Sequence, residues 1–158
     1  MAEERVFYLT KKGLEKTKKE YNSLKEFKLA KTKGELPELL HSEDINPEYL
    51  AFQEDLNFLE SRLMDIENTL KNVELIKIPS KSKQDIINLG ATVVIEADKQ
   101  LDEFTILGTL EANPSLGIIS NESIVGKALL GHKVGDVVTV QSVVKTTYKI
   151  KKIEYKRV

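Results

Sequence analysis

The 158-residue chain contains no cysteine. Disulfides and thiolate metal sites are therefore excluded, and a cytoplasmic protein is the simplest expectation. No apolar run approaches the roughly 20 residues of a membrane span, so no membrane association is expected. The first residues, Met1-Ala2-Glu3-Glu4-Arg5, lack the apolar core of a signal peptide. Aromatic residues are few, and Phe104, Tyr148 and Tyr155 are the only ones from residue 86 onward. An aromatic-lined pocket is not expected there. The two histidines, His41 and His132, sit in no metal-ligand spacing. No nucleophile–base motif and no phosphate-binding glycine loop occurs. An enzyme with its own catalytic centre or resident cofactor is thus not expected, and no stably bound metal.

Positive charge is missing from one long stretch. From Gly34 to Ser61 there is no lysine or arginine, while eight acids fall there. Just before it, Lys11 to Lys33 holds nine lysines against Glu15, Glu20 and Glu26. From Lys77 to the end the balance is 12 basic to 9 acidic residues. The net charge of −1 hides this segregation. A basic arm runs into an acidic segment, which concentrates negative potential. The lysines at 11, 12, 16, 18, 19, 25, 28, 31 and 33 suit a polyanionic partner such as a nucleic acid, though a solvated helix face explains them equally well.

Charged residues make up 31% of the chain, which fits long exposed helices. Tyr49, Phe52, Leu56, Leu59, Leu63, Ile66, Leu70 and Val73 recur at spacings of three and four, a heptad seam. Asn46 as cap, Pro47 at the first helical position and Glu48 near the positive dipole end mark the helix start. The spacing predicts a helix over 47–76. Its partner is the segment from Lys11 to about Lys33, which carries Leu14, Tyr21, Leu24 and Phe27. Thr17 and Lys28 fall where apolar residues are expected. The simplest solution is an antiparallel coiled-coil hairpin with its turn near residues 40–45 and an irregular stretch between Gly34 and Ser42. Pro79 and Ser80-Lys81-Ser82-Lys83 read as a linker. Beyond Ile86 the period shortens. Strands are expected at 91–96, 104–107, 117–120, 137–140 and 148–153, with one short helix over Ser123–Leu130 ended by Gly131. The fold class is α+β. The hairpin occupies 1–78, the linker 79–85, and a small, mainly antiparallel domain 86–158.

Several motifs resemble the GreA/GreB transcript-cleavage factors, in one order over nearly the whole chain. Leu9-Thr10-Lys11-Lys12-Gly13-Leu14-Glu15-Lys16 is similar to the family's opening. Asn46-Pro47-Glu48-Tyr49 and Glu60-Ser61-Arg62-Leu63-Met64-Asp65-Ile66-Glu67 resemble its second helix. Gly90-Ala91-Thr92-Val93 matches the start of its sheet domain. Ser123-Ile124-Val125-Gly126-Lys127-Ala128-Leu129-Leu130-Gly131, followed by Lys133-Val134-Gly135-Asp136, is the most specific match.

The resemblance implies a C-terminal domain like that of FK506-binding prolyl isomerases, docked on bacterial RNA polymerase beside its secondary channel. Ser123, Gly126, Lys127, Gly131, Lys133, Gly135 and Asp136 are the implied docking residues. The hairpin would enter the channel as a monomer, and its tip acids would help hold a Mg²⁺ shared with the polymerase, assisting cleavage of backtracked RNA. Glu43 and Asp44 are the expected tip acids, with Glu35 and Glu38 as the alternative pair. The family's tip reads Gly-Asp-Leu-x-Glu-Asn-Ala-Glu-Tyr, and this sequence departs from it. Registered back from Asn46, the aspartate falls on Ser42 and the glutamate on Ile45; registered forward from Gly13, the aspartate falls on Asp44. Two alternatives follow: a relative that inhibits or modulates the polymerase from the same channel, or a prolyl isomerase or chaperone with a coiled-coil arm.

Overall fold

The computed structural model describes residues 4–34 and 47–156. It forms two compact units. The described residues up to Leu14 join those from Val73 onward in one unit; Glu15–Asn72 form the other. No helix among the described residues is long and apolar enough to cross a membrane.

The helical unit consists of α1 (Lys11–Lys33, whose first turn belongs to the other unit) and α2 (Pro47–Lys71). Late residues of one helix meet early residues of the other. Glu20 pairs with Arg62 and Tyr21 with Glu67, whereas Lys31 reaches back to Asp55. The helices therefore run antiparallel, as expected. On α2 the heptad positions Leu59, Leu63 and Ile66 are buried, while Tyr49, Phe52 and Leu56 are half-buried. On α1 the seam runs through Tyr21, Leu24, Lys28 and Lys31, all half-buried. Phe27 does not join it and is 57% exposed. It sits one position off the three-four repeat, and the helix cannot turn it inward without expelling its neighbours. The expected break between Gly34 and Ser42, and the cap at Asn46, lie outside the described residues.

The second helix ends earlier than its apolar spacing predicts. Val73 continues the repeat, yet Val73–Leu75 is a strand, β2, pairing in parallel with β1 (Phe7–Leu9). Phe7 faces Val73 and Leu9 faces Leu75, and the Ile76 amide donates to the Leu9 carbonyl at 2.8 Å. A tertiary partner 60-odd residues away overrides the helical period. The compact units thus run differently from the boundaries drawn on the sequence. Both ends of the helix pair contribute a strand to the sheet-bearing unit, and residues 79–85 include a 3₁₀ turn, Lys81–Lys83.

The main sheet has five strands: β3 (Ala91–Ala97), β4 (Gln100–Leu107), β5 (Ile118–Ser120), β6 (Val137–Gln141) and β7 (Lys145–Tyr155). Their order is β5-β4-β3-β7-β6, antiparallel except for β4 with β5. One helix, α3 (Ile124–Leu129), accompanies them. The core contains Ile87, Val93, Ile95, Ile106, Leu129, Val140 and Ile150. The β4 and β7 strands begin several residues before the expected starts. Asp98 and Lys99 take φ of +50° and +65°, closing a two-residue turn that lets Ala97 pair with Gln100. In β7, Val94 faces Lys152 but Ile95 faces Ile150, so Lys151 is an extra, bulged residue. The bulge shifts the inward set from Tyr148 and Ile150 to Ile153 and Tyr155.

Candidate interaction site

The seven docking residues read from the sequence fall into two places in the sheet-bearing unit. Ser123 caps α3. Its hydroxyl accepts from the Gly126 amide at 3.0 Å and donates to the Ser120 carbonyl at 2.6 Å. Gly126 lies so close to that carbonyl that a Cβ would sit 2.1 Å from the oxygen. Both residues shape the segment rather than project from it. Lys127, one residue on, is exposed.

The second group forms the turn into β6. Asp136 accepts from the Lys133 amide at 2.9 Å and lies 3.2 Å from His132 Nδ1. The Lys133 amide, then His132, hold its carboxyl below the usual aspartate range. Gly135, at φ +91°, donates to the Ile150 carbonyl at 2.9 Å and ties the turn to β7. Gly131 takes φ +83° after α3. The Lys133 ammonium stands 3.6 Å from Asp85. What these two groups present outward is Lys127, Lys133 and three apolar side chains, Ile124, Val134 and Val137, each more than half exposed. The α3 helix and β6 pack together, so the sequence-predicted residues belong to adjoining elements.

A cluster that the sequence reading missed caps α1. Thr10 precedes the helix, and its hydroxyl accepts from the Gly13 amide at 3.0 Å. In a capping box, a glutamate three residues after the cap reaches back to the cap's own amide. Here that position is Gly13, and the carboxylate comes from Glu111. Its two oxygens accept from the Thr10 amide and the Thr10 hydroxyl, each at 2.7 Å. A Cβ on Gly13 would lie 2.3 Å from Glu111. Gly13 is thus an open place for a carboxylate 98 residues downstream. A Thr-x-x-Gly at a helix start, with no local acid to complete the box, was the available signal. Nearby, Arg5 pairs with Glu122 at 2.9 Å, and the Thr109 hydroxyl donates to the same carboxylate at 2.5 Å. Thr109 first, then Arg5, lower the Glu122 carboxyl from its ordinary value.

The expected tip acids Glu43 and Asp44, and the alternatives Glu35 and Glu38, lie outside the described residues, as does His41. Of the nine lysines of α1, Lys28 and Lys31 are engaged by Glu60 and Asp55 of α2. Lys25 lies 5.0 Å from the Tyr21 ring centre. Lys11, Lys12, Lys16, Lys18, Lys19 and Lys33 are exposed. The three aromatic residues of the sheet domain, Phe104, Tyr148 and Tyr155, pack against the core. The Tyr155 hydroxyl is spent on the Ile86 carbonyl and the Asn88 amide.

The helical unit carries charged antiparallel helices, and the sheet-bearing unit exposes apolar and basic side chains. Two family models match in succession: the N-terminal domain of transcription elongation factors over residues 7–75, and the GreA/GreB C-terminal domain over 81–155. The chain belongs to the GreA/GreB family of transcription elongation factors. It is 40% identical to transcription elongation factor GreA of Thermomicrobium roseum over 144 residues, spanning 90% of this chain and 92% of that one. It is 39% identical to GreA of Clostridium acetobutylicum over 145 residues, spanning 89% and 90%. Among solved structures, GreA factor homolog 1 of Thermus thermophilus aligns with 95% of this chain and 99% of its own, at 27% identity and a TM-score of 0.42.

Proposed function

We propose that the protein binds bacterial RNA polymerase at its secondary channel and acts on the polymerase active site through the helix pair. The observation that carries this reading is the match of both family domains, in order, over most of the chain. In this reading the sheet-bearing unit docks, using Lys127, Lys133 and the exposed Ile124, Val134 and Val137. Ser123, Gly126, Gly131, Gly135 and Asp136 hold that surface in shape. The exposed lysines of α1 attract nascent RNA.

The reaction is cleavage of backtracked RNA, catalysed by the polymerase. The protein supplies tip carboxylates, Glu43 and Asp44, or else Glu35 and Glu38. Carboxylate oxygens suit Mg²⁺, which accepts one or two of them while keeping waters. A second reading has its own support. The family's tip pattern is not reproduced in place, since Ser42 and Ile45 stand where its two acids fall in one register. In that reading the protein occupies the same channel and slows the polymerase.

Stalled, backtracked elongation complexes separate the two. Shortened RNA on adding the protein supports cleavage stimulation, which the Glu43→Ala/Asp44→Ala variant should lose while still binding. Slower synthesis with no shortening supports the inhibitor. No effect on either rules out both.

A further inference from the structure

The two halves of the helix pair are closed by different forces. In the inner half, α2 buries Leu59, Leu63 and Ile66 at 5%, 8% and 2% exposure. In the outer half, no described residue of either helix is buried to that degree. The seam positions on α1 there are Lys28 and Lys31, where the heptad calls for apolar side chains. Lys28 reaches Glu60 at 3.2 Å and Lys31 reaches Asp55 at 2.5 Å. The Lys31 ammonium also lies 5.6 Å from the centre of the Phe52 ring, a seam residue of α2. Its side chain is only 22% exposed, whereas the carboxylates of Asp55 and Glu60 are more than half exposed.

The charge distribution reinforces the pairing. On outer α2 the acids are Glu48, Glu54 and Asp55, with Glu60 at the boundary next to Leu59, and no lysine or arginine lies among them. On outer α1 the bases are Lys25, Lys28, Lys31 and Lys33, against the single acid Glu26. The helices attract each other in the outer half through these charges, while the apolar seam residues Tyr49, Phe52 and Leu56 are only half-buried.

We propose that the outer half of the helix pair is an electrostatic latch. Lys28 and Lys31 are its two bolts, and it loosens with rising ionic strength while the inner half stays closed. Screening supplies the mechanism: the Debye length falls from about 10 Å at 0.1 M salt to about 3 Å at 1 M. Ion pairs with exposed carboxylates weaken accordingly, whereas apolar burial does not depend on charge. The stiffness of the arm's outer half is therefore set by the ions around it. A polyanion competing for the two lysines would loosen it in the same way.

Amide hydrogen exchange on the whole protein, read by mass spectrometry at 0.1 M and 1 M NaCl, tests this. Peptides covering 28–33 and 49–57 should exchange about threefold faster or more at high salt, and those covering 62–70 should not change. Equal acceleration of both sets, or none in the outer set, overturns the proposal. In Lys28→Leu/Lys31→Leu the outer peptides should be protected and indifferent to salt. A retained salt response there would also overturn it. Should that variant fail to fold, the charge swap Lys28→Glu/Glu60→Lys provides the control. The swap should keep the wild-type salt response, and Lys28→Glu alone should lose outer protection at low salt; swap and single variant behaving alike would contradict the latch.

Discussion

At the scale of single residues, Glu111 and Gly13 carry the sharpest consequences. Thr10 is 3% exposed, and its amide and hydroxyl both depend on the Glu111 carboxylate. Removing that carboxylate strands two buried donors. Glu111→Ala should cost about 2 kcal/mol, within the range for losing a cap or a charged hydrogen-bond partner. Gly13→Ala inverts an ordinary rule. Alanine in a helix is normally better than glycine by about 1 kcal/mol. Here the new methyl meets the carboxylate, so the substitution should destabilise by about 1 kcal/mol or more. Denaturant midpoints of the two variants decide the matter, and a stabilised Gly13→Ala would show that Glu111 does not occupy that place.

Asp136 gives a pH dependence of definite sign. Its folded pKa is lowered, first by the Lys133 amide and then by His132. Such a group contributes stability above its unfolded pKa, and the contribution is lost as pH falls through the folded value. The loss therefore belongs below about pH 4, the ordinary aspartate value. Asp136→Asn should flatten this part of the acid limb, measured as the change in Tm between pH 5 and pH 3. An unaltered slope would mean that the turn does not depend on the ionised carboxylate.

At the scale of elements, the sequence was most legible where one period ran unopposed. The α2 seam from Tyr49 to Leu70, the short α3 with Ser123 before it and Gly131 after it, and the existence of the main strands all stand as read. Three of the errors share a cause, long-range pairing. Val73 fits a helix repeat but is held in a strand by Phe7. Lys151 breaks the alternation of β7 because β3 needs one residue fewer. The cap of α1 was invisible because its acid is supplied from residue 111. The tip acids could be read from the sequence only as alternatives, since two registers disagree. The Asp98-Lys99 turn was missed because only Asp98 is of a type that favours positive φ, and Lys99 beside it does not announce one. Glycine is the better residue at its second position. Lys99→Gly should therefore raise stability by about 0.5 kcal/mol, the relief of a left-handed side chain less the entropy cost of glycine. A lower denaturant midpoint would argue against this turn geometry.

At the scale of the whole molecule, the sheet-bearing unit needs both ends of the helix pair. Leu9 is 1% exposed, and Thr10 supplies the partners of Glu111. A fragment spanning Val73–Val158 lacks both. It should be less stable than the same unit in the intact chain by about 3 kcal/mol, from one buried leucine and the charged hydrogen bonds together. Equal denaturation midpoints would show that the β1–β2 pairing is dispensable.

The proposed contact with RNA polymerase is made through the sheet-bearing unit. Its most direct measurement is equilibrium binding of the intact protein to purified bacterial core RNA polymerase at physiological salt, beside the Lys127→Glu/Lys133→Glu variant. Both lysines are exposed, so their reversal should leave the fold intact. The wild type should bind saturably at micromolar concentration or below, and the variant at least tenfold more weakly. No binding by the wild type, or equal binding by a folded variant, would contradict it.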